Sequence, residues 1–126
     1  GAIVQELYQT VPVTPGHRYF LSAQCNAGGT GSTATGRLLW ADGEYPGKGN
    51  GTWLDSLAWE SPDGTTPWNE LTGFVTPTGS VLTFILQADI GGWSGGVNFD
   101  ACSASDQTPE ETPTPTPPPG SILLTY

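Results

Sequence analysis

The chain has 126 residues, three basic against twelve acidic for a formal charge of −9, with 18 Gly, 12 Pro, five Trp and no Met. That length holds one modest core, and abundant aromatic and turn-forming residues without Ala, Lys or Glu runs argue against a helical fold. So acidic a surface repels nucleic acid and anionic membranes, and without a run of 18 apolar residues no membrane insertion is expected.

Residues 2–13 read as a first strand, with Glu6, Tyr8 and Thr10 on one side and Gln5, Leu7, Gln9 and Val11 on the other, turned by Thr14-Pro15-Gly16. The next strand, residues 19–26, sets Tyr19, Leu21, Ala23 and Cys25 on one face. Residues 27–36 read as a Gly/Ser/Thr loop, 37–41 as a short apolar strand and 42–50 as an irregular Gly-rich loop. A short strand over 53–60 ends at the turn Ser61-Pro62-Asp63-Gly64. Residues 68–76 alternate, Pro77-Thr78-Gly79-Ser80 makes a hairpin turn, and 81–88 returns with Leu82, Phe84, Leu86 and Ala88 facing one way. Residues 95–103 complete the set, with Val97, Phe99 and Ala101 opposite Asn98, Asp100 and Cys102. The fold class predicted is all-β, a two-sheet antiparallel β-sandwich of about seven strands.

The domain organisation follows from composition: a sandwich over 1–106, a Pro/Thr-rich extended linker over 107–120, and a strand-forming hexapeptide, Ser121, Ile122, Leu123, Leu124, Thr125 and Tyr126. An apolar segment on a solvated tether leaves water by pairing on a sheet edge, where each fully buried large side chain is worth roughly 1.5–3 kcal/mol. As polyproline II, at roughly 3.1 Å per residue, a tether of about 13 residues spans about 40 Å, so the hexapeptide reaches either its own domain or a neighbour. Stiffness favours donation to a neighbour, and head-to-tail donation without closure makes a filament. The rival reading is a cut linker whose hexapeptide begins another module.

Cys25 and Cys102 form an even pair without metal-ligand spacing, which predicts one disulfide in an oxidising compartment, with two buried thiols as the alternative. His17 is the only histidine, and no Ser, Cys or Lys has an activating partner in sequence, so no catalytic residue is assigned. Trp40 and Trp68 fall within strand patterns and are expected in the core. Trp53, Trp59 and Trp93 lie in or near loops and are the candidates for stacking on pyranose rings. Asn50-Gly51-Thr52 is an N-glycosylation sequon, and Thr108, Thr112, Thr114 and Thr116 among prolines mark an O-glycosylated stalk. With no Met anywhere, the expectation is an extracellular or cell-surface chain processed from a precursor or cut from a longer protein.

Four segments carry a resemblance: Tyr8-Gln9-Thr10-Val11-Pro12-Val13-Thr14-Pro15-Gly16, Tyr19-Phe20-Leu21-Ser22-Ala23, Thr78-Gly79-Ser80-Val81-Leu82-Thr83-Phe84 and Gly96-Val97-Asn98-Phe99-Asp100. Over most of residues 2–103 the chain resembles the galactose-binding-like jelly roll of many extracellular carbohydrate-binding modules. The resemblance implies a jelly roll more firmly than it implies a sugar ligand. It also implies a structural Ca²⁺ site to which only Asp100 carries over, one ligand where the ion takes 6 to 8 oxygens, and no other cofactor. Such modules usually begin with a further strand ahead of the Tyr-Gln-Thr-Val one. Here that opening strand is missing, and residues 121–125 resemble it, displaced behind the Pro-rich tether.

The function expected is that of a noncatalytic structural subunit that assembles head to tail with other copies of itself, its terminal strand completing a neighbour's sheet. The alternative is a carbohydrate-binding module from a modular secreted or surface protein, with a polysaccharide as its partner.

Overall fold

The computed structural model describes residues 3–109, the side chains at 3, 30–32, 59–64 and 93–94 lying outside that description. Five strands make it up: β1 (Ile3–Pro12), β2 (Tyr19–Asp42), β3 (Thr52–Thr65), β4 (Asn69–Val75) and β5 (Val81–Asp106). Every pairing is antiparallel, and no helix occurs among the described residues.

β2 and β5 are too long to belong to one sheet. A straight strand would hold Cys25 and Gly36 roughly 35 Å apart, yet a methyl group added at Gly36 would overlap Cys25 Sγ and stand 2.8 Å from Val97 Cγ1. β2 therefore doubles back on itself. β5 does the same, because Gly36 pairs with Ala88 while it packs against Val97 and Phe99. The crease falls where Gly28, Gly29 and Gly31 on β2 run beside Gly91, Gly92, Gly95 and Gly96 on β5. Glycine suits it, since the bend is sharp and a side chain would hold the layers apart.

Each long strand thus serves both layers, giving seven strand segments in two antiparallel sheets packed against each other. One sheet runs β1, the first half of β5, the second half of β2, then β3. The other runs β4, the first half of β2, then the second half of β5. Between them lies one core of Tyr19, Leu21, Ala23 and Cys25 from β2, Leu71 and Val75 from β4, and Leu82, Phe84 and Leu86 from β5. The expected faces of residues 19–26 and 81–88 are those that enter this core.

Two segments expected as a loop and a turn are instead strand, residues 27–36 and Ser61-Pro62-Asp63-Gly64, and residues 89–94 continue the strand between the two expected at 81–88 and 95–103. Backbone pairing on both sides of β2 outweighs the weak strand preference of Gly, Ser and Thr there. Pro62 falls on the outermost strand, where a residue without an N–H is tolerated. Residues 43–51 do form the expected irregular loop. At one end the β1–β2 turn is tied to the β4–β5 turn, Val13 N–H donating to Ser80 O (2.9 Å) and Gly16 N–H to Pro77 O (2.8 Å), with Gly16 at φ 79°.

The expected Cys25–Cys102 disulfide is not formed, and both thiols are free. Cys25 is buried against Gly36, and its ladder partner is Phe99. Between Ser22 and Gln24 the register slips by one residue: Ser22 pairs with Ser103 but Gln24 with Asp100. Ala101 sits in this bulge at φ 50°, and beyond it the inward side passes to Cys102 and Ala104, Cys102 standing exposed three residues along β5 from the partner of Cys25. Burial alone pushes the Cys25 thiol up to about 11. In denaturant without reductant the intact chain should therefore titrate two thiols, Cys25 becoming reactive only on unfolding. A result of zero thiols would restore the disulfide.

Candidate functional site

The two sheets do not close along one side. β1 forms the border of the first sheet, and residues 97–106 of β5 form the border of the second, having β2 as their ladder partner and, among the described residues, no strand on the other flank. Between these borders runs an open seam. Its wide end, about 480 Å³, is lined by Val4, Leu7, Leu86, Ala88, Val97 and Phe99, with Gln5, Glu6 and Lys48 at its polar margin. A middle recess of about 150 Å³ lies among Leu7, Tyr8, Phe84, Leu86 and Cys102, and a last one of about 190 Å³ among Gln9, Val11, Phe84, Cys102 and Ala104.

The floor is apolar because the seam opens on the core itself: Phe84 and Leu86 belong to the central cluster. Leu7 stands on its rim 71 % exposed, although strand alternation aims it at the inner side. Residues 4 to 11 of β1 and 97 to 104 of β5 advance together from the wide end to the narrow one, so both walls run in the same direction.

The other face of β1 is closed by the 43–51 loop. The Tyr8 and Tyr45 rings stack with centroids 3.7 Å apart, and Lys48 Nζ donates to Val4 O (3.2 Å). Glu6 accepts from Tyr45 Oη (2.6 Å), Gln87 Nε2 (2.6 Å) and Gly49 N–H (3.2 Å). Burial by itself would raise the Glu6 carboxyl, but these hydrogen bonds and the Lys48 charge outweigh it and hold the pKa below the ordinary value. In turn Tyr45 is pushed up to about 12 by donating to Glu6.

A carboxyl whose folded pKa is depressed contributes stability above its unfolded value, about 4.3, and loses it as pH falls through the folded one. Glu6→Gln should accordingly cost about 1 kcal/mol at neutral pH, the partial exposure of the site discounted. Its melting temperature should converge on that of the parent chain between about pH 5 and pH 3. A gap constant with pH would remove this role from Glu6.

The residues singled out from sequence are scattered. Trp53 is 59 % exposed, but one ring face is occupied by the Arg37 guanidinium at 4.2 Å, itself held by Gln87 (2.7 Å) and Asp89 (3.2 Å). Trp59 and Trp93 lie on the strands β3 and β5 rather than on loops, and their side chains are outside the described residues. Trp40 packs on the core, whereas Trp68, expected there too, is exposed just ahead of β4, out of phase with Leu71 and Val75, which that strand turns inward.

Asn50 is exposed, its Nδ2 donating to Pro46 O (3.1 Å). Thr108 Oγ1 accepts from Arg18 N–H (2.7 Å), while Thr112, Thr114, Thr116 and residues 121–126 lie outside the described residues. Asp100 is exposed, and its Oδ1 accepts from Ala101 N–H (2.8 Å). Among the described residues no group of three His, Cys, Asp or Glu gathers at it. His17 Nδ1 meets Asp106 Oδ2 at 2.7 Å, an exposed pair where β5 ends.

The sequence led to the expectation of a missing opening strand but did not point to the residues that line the seam. Leu7 sits between Gln5 and Gln9, and nothing in that pattern says that the layer opposite it is open. No family model, no curated protein and no solved structure matches the chain.

Proposed function

We propose that the chain is a noncatalytic extracellular structural subunit that assembles head to tail, residues 121–126 of one copy completing the sheet of the next. The observation that carries this reading is the open seam, where core residues Phe84 and Leu86 form the floor between two strand borders that, among the described residues, have no ladder partner on that side. An exposed border beside an open apolar floor is the arrangement to which an added strand binds, main-chain hydrogen bonds giving affinity and side-chain recesses giving specificity. The hexapeptide supplies that strand, rich in Ile and Leu and carried on a tether long enough to reach another copy. The test is mass by light scattering with and without residues 121–126: multimers are expected of the intact chain and monomers of the shortened one.

The glycan-binding reading is favoured by one observation, the exposed Trp53 ring, whose covered face leaves a single face to offer a sugar. Retention on a polysaccharide gel that survives removal of residues 121–126 and is lost in Trp53→Ala would support it over assembly.

A further inference from the structure

We infer that the arriving strand runs antiparallel to residues 97–104 of β5, turns Ile122, Leu124 and Tyr126 into the seam, and lays Leu124 against Cys102. This rests on the assembly reading above and adds to it the direction, the face and the register.

The direction follows from the walls. Because β1 and this half of β5 run the same way, a strand antiparallel to one is antiparallel to the other, and it meets either border in the more stable pairing sense. The face follows from alternation: one side of the hexapeptide carries Ile122, Leu124 and Tyr126, the other Ser121, Leu123 and Thr125 with its two hydroxyls. Side chains on one face repeat about every 6.6 Å, so three of them span three consecutive recesses.

The register follows from size. The recess of about 480 Å³ beside Val97 and Phe99 takes the Tyr126 ring, and that of about 190 Å³ beside Ala104 takes Ile122. Leu124 then falls in the middle recess, where Cys102 is the exposed wall residue.

The same geometry sends the strand to another copy. The tether leaves the domain at the narrow end, pinned where Gln107 N–H donates to Arg18 O (2.7 Å) and Arg18 N–H donates to Thr108 Oγ1 (2.7 Å). To enter its own seam in this sense, the hexapeptide would have to start beside the point from which the tether departs. Pro113, Pro115, Pro117, Pro118 and Pro119 stiffen the tether against so tight a return, whereas a neighbour's seam demands no bend.

Cys102 provides the test. Full-length Leu124→Cys and Leu123→Cys, treated with a mild thiol oxidant that takes up the two electrons and two protons released by each pair of thiols, are compared on a nonreducing gel. Leu124→Cys should give a ladder of disulfide-linked multimers at least tenfold stronger than Leu123→Cys, abolished by adding Cys102→Ser. As a measurement free of any introduced residue, maleimide should label Cys102 at least tenfold more slowly in the assembled parent chain than in a chain ending at Gly120. Multimers by light scattering without that ladder, or with the stronger ladder from Leu123→Cys, overturn the register while leaving strand donation standing. A fast-migrating single-chain product from Leu124→Cys overturns donation to a neighbour. Equal labelling rates in assembled and shortened chains place the contact elsewhere than the seam, and a mass unchanged on removing residues 121–126 overturns the assembly reading itself.

Discussion

Removing residues 121–126 should shift the concentration needed for assembly upward by about four orders of magnitude. Three large apolar side chains leave water when the strand docks, each worth about 2 kcal/mol, and about 6 kcal/mol corresponds to a factor of about 10⁴. The shortened chain should then stay monomeric up to about 10⁴ times the concentration at which the intact chain becomes multimeric, with light scattering as the measure. Its melting transition should rise when a synthetic peptide of residues 121–126 is added in excess, because a ligand that binds only the folded state stabilises it by mass action. Shortened and intact chains of the same size at the same concentration would end the idea.

Gly36→Ala should be the most damaging small change within the sandwich. The added methyl group overlaps Cys25 Sγ and reaches within 2.8 Å of Val97 Cγ1, and both neighbours stand on strands that cannot retreat without parting the two layers. Overpacking of this kind costs about 1–3 kcal/mol, and for a domain of this size each kcal/mol lowers the melting temperature by about 4–8 °C. The second half of the prediction is specific to the doubled-over ribbon. Cys25→Ala removes the sulfur that the methyl strikes, so the double variant should melt at or above Gly36→Ala even though Cys25→Ala alone destabilises. Strictly additive losses, or a harmless Gly36→Ala, would mean that these two positions of β2 do not touch.

Much of the sandwich was legible in the sequence where period-two alternation is strong. Tyr19, Leu21, Ala23 and Cys25, and likewise Leu82, Phe84 and Leu86, enter the core on the faces their spacing assigns. The glycine-rich stretches misled because composition reports what a lone segment prefers, and in β2 and β5 the decisive energy is the ladder each offers the other. Cys102 misled for a different reason. One bulged residue at Ala101 reverses every face beyond it, and no local pattern announces that extra residue. The seam was half legible: the hexapeptide proclaims a strand in want of a sheet, but the place that would receive it exists only once two distant borders, β1 and the end of β5, have been brought face to face.

The doubled ribbon of β2 and β5 also fixes the order in which the molecule can form. Its pairing is closest along the chain where Asp42 meets Leu82 and most remote where Tyr19 meets Asp106, so loop-closure entropy favours zipping from the former toward the latter. The stretch from 97 to 104 is therefore among the last to find its partner, and it is also one wall of the docking seam. Under the assembly proposed above, a nascent or half-zipped chain would lack that wall and escape capture by a neighbour's tail, so recruitment into a polymer would wait for maturation of the acceptor.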